Sequence, residues 1–243
     1  MKIEKFLLAA VAAGLLLLFG PGRAVADLYV EIEMVNTGMP MYPDGVSLCK
    51  HYFSADAIAT DTGAYITIVD FKARRMYELD KASKTYRQHE LKKAEPPKAP
   101  AGKANKSKKD LETEFLNQMH ARSVAERLRV EPTETVKPIS GYKCRKYYVT
   151  IMEIEWEYWV TQAFKGYDEL KAVGAKAAQT FADNPNLRPI DFVGMIQELD
   201  GVPVSTESMW MGRTAHGTLK KVEQTTLDPN YFIVPADYAP ARQ

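Results

Sequence analysis

Ile154-Glu155-Trp156-Glu157-Tyr158-Trp159-Val160-Thr161 carries a period of two. Ile154, Trp156, Tyr158 and Val160 fall on one side and Glu155, Glu157 and Trp159 on the other, and a β-strand is the backbone that sorts them so. Immediately before it, Tyr142 to Met152 is a long aromatic and β-branched run, preceded by Thr133 to Ile139 and a Ser140-Gly141 turn. Three strands in immediate succession form an antiparallel meander.

The same reading extends to both ends. Leu28, Val30, Ile32 and Met34 alternate with Tyr29, Glu31 and Glu33. Further strands are predicted at Ser47 to Ala57, Ala64 to Phe71, Arg75 to Leu79 and Lys84 to His89, with Asp61-Thr62-Gly63 and Asp80 to Ser83 as turns. Val202 to Met211 and Thr218 to Thr226 close the series, and Tyr231-Phe232-Ile233-Val234-Pro235 is expected to pack on the sheet. Helical spacing of apolar residues predicts helices at Leu111 to Val130, Tyr167 to Ala182 and Pro189 to Leu199. Strands, one helix, strands, two helices, strands is an α+β order: a strongly curved antiparallel sheet with helices gathered on one face. It is not the strand–helix alternation of a nucleotide-binding parallel sheet.

Two segments stand apart from this domain, which spans residues 27–243. Residues 1–26 have the layout of a cleaved secretory signal peptide: Lys2 and Lys5, an apolar run from Phe6 to Phe19, and Ala24-Val25-Ala26 as the cleavage site. That run is shorter than the about 20 residues of a membrane span. No cysteine follows the cleavage site, so neither a span nor a lipid anchor is expected, and the mature chain should start at Asp27 outside the cytoplasm. The second segment, about 92–110, is rich in Lys, Pro and Ala and cannot bury enough surface to hold a fixed structure. It reads as a solvated loop, or as a basic tether for anionic headgroups or an acidic partner.

Charge narrows the partners. Lys2, Lys5, Arg23 and Glu4 leave with the signal segment, so the mature chain keeps 29 basic and 30 acidic residues. Residues 92–109 hold seven lysines and one glutamate, which leaves the folded part near −7 and excludes a nucleic-acid surface. A monomer is expected. Cys49 and Cys144, the two cysteines of the chain, either pair as a disulfide in an oxidising compartment or stay as two buried thiols.

No phosphate-binding glycine loop, dinucleotide fingerprint or nucleophile elbow occurs. His51, His89, His120 and His216 lack metal-site spacing, so no metal or cofactor is expected. Glu155 and Glu157 lie about 7 Å apart on one strand face, a separation that a glycosidase could use, though acidic residues on an outer strand face are routine. Met39-Pro40-Met41 and Met209-Trp210-Met211 offer soft thioethers to Cu(I), or simply fill apolar space.

Several stretches together resemble a family of exported bacterial proteins of unknown function with a lipoprotein-carrier-like (LolA-like) fold. They are Asp27-Leu28-Tyr29-Val30, Thr67 to Phe71, Met76 to Asp80, Lys84-Thr85-Tyr86, Ile139 to Tyr147, Trp159-Val160-Thr161, Gly201 to Val204 and Val234 to Tyr238. The resemblance implies an incomplete antiparallel barrel whose open, concave side is closed by helices. In such periplasmic carriers the space between sheet and helices holds acyl chains, and in a related envelope-stress regulator a similar domain senses lipoproteins or lipopolysaccharide.

Alternation then nominates Val30, Ile32, Met34, Ile66, Ile68, Ile154, Trp156 and Tyr158 as inward residues, with Leu170, Val173 and Phe181 from the helix. These would line a cavity for an apolar ligand, or pack one another as a filled core. The first case describes a soluble, non-enzymatic periplasmic binding protein for a lipid, acyl chain or lipoprotein. The second describes an envelope interaction or sensor module that works through its surface and the basic insertion.

Overall fold

Alternating apolar residues and tight turns build a single 12-stranded sheet in the computed structural model, which describes residues 27–38, 44–91, 128–151, 154–182 and 198–241. The strands are β1 (Asp27–Thr37), β2 (Gly45–Phe53), β3 (Ala57–Asp61), β4 (Tyr65–Asp70), β5 (Arg75–Asp80) and β6 (Thr85–Glu90). After them come β7 (Arg129–Ile139), β8 (Tyr142–Ile151), β9 (Ile154–Thr161), β10 (Val202–Trp210), β11 (Arg213–Thr225) and β12 (Ala239–Pro240). They lie in the order β12-β6-β5-β4-β3-β2-β1-β11-β10-β9-β8-β7, antiparallel throughout except for β12 beside β6. The chain thus lays down two meanders, and β1 and β11 zip them together over their full lengths. Two-residue hairpins with positive φ at both positions, Ser140-Gly141 and Met211-Gly212, give the turn geometry that matches strand twist.

The expected strand at Ser47 to Ala57 is two strands. Ser54 breaks it: its hydroxyl accepts hydrogen bonds from the Ala57 and Asp56 amides at 3.0 and 3.4 Å, folding the chain back into β3. Arg129 and Val130, expected at the end of a helix, are in β7, and Leu128 leads into it outside any helix. The remainder of that helix, residues 111–127, lies outside the described residues, as do the signal segment, the insertion at 92–110 and most of the expected helix at Pro189 to Leu199.

One α-helix, α1 (Tyr167–Phe181), is described in full. Leu170, Val173, Ala177 and Phe181 recur at helical spacing and are buried in one cluster with Leu28, Val30, Phe53, Ile58, Val69 and Met76. Register shows that these strand residues all share one sheet face. The opposite face of β3 to β6 is covered by the C-terminal segment: Phe232, Val234 and Tyr238 pack with Ala59, Ile66, Ile68 and Leu79. The chain end then runs beside the edge strand β6, where Ala239 and Ala241 donate to the Lys84 and Tyr86 carbonyls at 2.9 and 2.8 Å. The far edge, β7, carries Pro132 and Pro138 and is mostly exposed, as prolines at a sheet edge are.

Irregular register bends the sheet. Pairing slips by a residue at Glu31/Ile32 in β1–β11 and again at Pro203/Ser205 in β9–β10, and it shifts between Pro132 and Val136 in β7–β8. Each bulge increases local twist and bends its strand.

Candidate functional site

The bend brings distant strands together. In sheet order β3 and β9 are five positions apart, about 24 Å on a flat sheet at about 4.8 Å per strand. Nevertheless Thr60 of β3, Thr62 just after it, and Trp156 and Tyr158 of β9 line a single pocket. Its floor comes from the strands between: Ile32 and Met34 of β1, Cys49 and His51 of β2, Gly217 and Leu219 of β11. Pro203, Val204, Ser205 and Thr206 of β10 complete it. Its cavity volume is about 90 Å³. That is below the roughly 300–1,000 Å³ of sites that enclose a whole small molecule, and suits the insertion of part of a ligand.

Register explains this lining. Ile32, Met34, Cys49 and His51 alternate onto one face, and Thr60, Tyr158 and Leu219 join them through cross-strand pairing. Gly217 makes the room: a Cβ there would lie 2.5 Å from Thr206 Oγ1 and 2.9 Å from Met34 Sδ.

His51 is the most deeply buried polar group of the lining, 3% exposed. Its Nδ1 sits 3.1 Å from Thr60 Oγ1, and its ring stacks near Phe53 at 6.1 Å. Burial pushes its pKa down to about 4, because the charged form cannot be hydrated there. Ser47, cross-strand from Met34, holds a buried hydroxyl with no partner among the described residues.

The nominated residues divide into three places. Ile32, Met34, Trp156 and Tyr158 meet in the pocket. Val30, Leu170, Val173 and Phe181 are packed together under α1, so the space between sheet and helix is filled at that point. Ile66 and Ile68 lie on the opposite face, a correction that follows from register: Ile68 pairs Ala59 and Ile66 pairs Asp61, neighbours of the pocket-facing Thr60. Ile154 is partly buried beside Val149, Trp156 and Leu199. Alternation alone did not identify His51, Thr60, Thr62, Thr206 or Gly217; their signal is their register opposite residues that it did identify.

The other nominated chemistry does not assemble. Glu157 accepts from Trp159 Nε1 at 2.6 Å and pairs with Lys146 at 2.5 Å. Burial acts to raise its pKa, but these two donors outweigh that and hold the carboxyl below the ordinary glutamate range. Such a carboxylate is an ion-pair partner and is poorly suited to act as an acid. His89 bonds Glu78 at 3.0 Å, His216 lies 3.0 Å from the Thr218 hydroxyl, and His120 is outside the described residues. Met39 and Met41 are also outside them, whereas Met209 and Met211 are 70% and 82% exposed on the β10–β11 hairpin. Among the described residues no group of three or more His, Cys, Asp or Glu side chains could hold a metal.

No disulfide joins the buried Cys49 and Cys144. Cys49 is on β2 and lines the pocket, whereas Cys144 is on β8 in the core cluster under α1, so the two stay as separate buried thiols. Among the described residues no helix is long and apolar enough to cross a membrane, which leaves strand-built membrane proteins out of account.

No curated protein matches the chain. Similar solved structures include PNGF-II, at 9% identity and a TM-score of 0.44 over 88% of this chain; the chain spans 30% of that structure's length. They also include an outer membrane lipoprotein-sorting protein domain from Vibrio parahaemolyticus, at 11% identity and a TM-score of 0.29 over 86% of this chain and 90% of that one. LprF from Mycobacterium bovis is 10% identical, with a TM-score of 0.32 over 85% and 91% of the two chains. Residues 101–238 match a domain family of unknown function, and this match covers β7 to β11, α1 and the C-terminal segment. The chain belongs to that family, DUF4412.

Proposed function

We propose that this protein is a non-enzymatic binding protein, exported and cleaved after Ala26, which holds an acyl chain of a lipid or lipoprotein in the pocket between β1–β3 and β9–β11. The observation that carries the reading is a mostly apolar pocket that stays open while the rest of the same sheet face is packed under α1. Ile32, Met34, Trp156, Val204 and Leu219 offer apolar walls. Each Å² of apolar ligand surface they remove from water contributes about 25 cal/mol. The sequence resemblance to lipoprotein carriers supports the same class of ligand.

Native mass spectrometry of the protein purified from its own cell envelope tests the proposal. A co-purifying lipid adduct is expected on the wild type, and it should disappear in Met34→Trp, which fills the pocket from β1. A wild-type protein with no adduct, and no affinity for added acyl lipids, would overturn the reading.

A further inference from the structure

The charges of the strands around the pocket are distributed in one direction. Glu31, Glu33, Lys50, Asp61, Glu157 and Glu207 all alternate to the other face of the sheet. Several are already engaged there: Asp61 with Lys81 at 2.8 Å, Glu33 with Lys220 at 2.9 Å, Glu157 with Lys146 at 2.5 Å. Arg213 is the one cation of β11 that register places on the pocket's face; it sits at the hairpin, 5.5 Å from the Trp210 ring centre, and is not part of the lining.

Consequently, no Lys, Arg, Asp or Glu lines the pocket among the described residues. Its titratable side chains are Cys49, His51 and Tyr158. His51 is buried against Thr60 and uncharged at neutral pH. The remaining polarity is neutral dipoles, the hydroxyls of Thr60 and Thr62 on one wall and of Thr206 on the other. A hydroxyl can hydrogen-bond an ester, amide or alcohol fully, but it cannot replace the hydration of an ion.

We infer that the pocket selects for charge: it accepts an acylated molecule whose polar group near the chain is neutral, an ester, amide or alcohol, and rejects a free carboxylate or an ammonium. The inference rests on the reading that the pocket binds an acyl chain. A fatty acid and its ester offer the same apolar surface to Ile32, Met34, Trp156 and Leu219, so discrimination between them reports the polar wall alone.

Calorimetric titration of the mature protein at pH 8 with four ligands of one chain length tests it: 1-lauroylglycerol, methyl laurate, laurate and dodecylamine. The two neutral ligands are expected to bind at least about tenfold more tightly than either charged one. Laurate within about threefold of methyl laurate would overturn the charge selection and leave the carrier reading standing. If none of the four binds, both fall. Thr206→Lys, with Thr62→Lys as a second variant should the first not fold, places an ammonium on the polar wall and should gain laurate binding. A folded lysine variant, checked by its thermal transition, that leaves the ester-to-laurate ratio unchanged also overturns the inference.

Discussion

His51 shows how one residue ties the site to stability. Its pKa falls from about 6.5 in the unfolded chain to about 4 when buried against Thr60. Between those values the unfolded chain takes up a proton that the folded one excludes, so the stabilisation is complete above about pH 6.5 and is lost as pH falls through about 4. The loss should be on the order of 3 kcal/mol. Urea denaturation at pH 7 and pH 4 measures it, and His51→Gln, which cannot titrate, should flatten that part of the pH dependence. Gly166 is a second residue under a clear constraint. It caps α1 at φ +89°, and a Cβ there would lie 2.9 Å from Leu28 Cδ1. Gly166→Ala should cost about 1–3 kcal/mol, read as a lowered denaturation midpoint with an unchanged slope.

At the scale of elements, α1 and the C-terminal segment cover opposite sheet faces, and each can be perturbed separately. Leu170 is completely buried under α1 and away from the pocket. Leu170→Ala should therefore destabilise the fold by about 2–5 kcal/mol while leaving acyl-ligand affinity unchanged in the surviving folded protein. Truncation after Leu227 removes the cover from Ile66, Ile68 and Leu79 and the partner of β6. Such a protein should bind the dye ANS and unfold at lower denaturant than the full chain; equal stability would show that the segment contributes nothing. Elements were the most legible part of the sequence. Ile154 to Thr161 is a strand with the bounds its alternation gives, and Tyr167 to Phe181 follows its apolar spacing to within a residue. The strand break at Ser54 was hidden because Ser47 to Ala57 keeps its apolar character through a turn made by one hydroxyl.

At the scale of the whole molecule, what matters is which strands become neighbours. The pairing of β1 with β11 joins the first and last parts of the chain, and the curl of the sheet then sets β3 opposite β9. Cys49 lines that pocket while Cys144 is buried in the core under α1, each a free thiol. Denaturing the protein under non-reducing conditions with an alkylating reagent present should label both thiols, as read by intact mass; a mass lacking two hydrogens with no label would contradict two free thiols. The sequence by itself determined the class of every strand it marked, the helix at Tyr167 and the turns, and it put Ile32, Met34, Trp156 and Tyr158 among the inward residues without separating pocket from core, because alternation and helical spacing are local properties of the backbone. Only the tertiary structure decided that Val30, Leu170, Val173 and Phe181 are filled core, that Ile66 and Ile68 face the other way, and that His51, Thr60, Thr206 and Gly217 meet in one pocket. Those outcomes depend on register and on bulges between strands distant in sequence, and a shift of one residue in either exchanges the two faces of a strand.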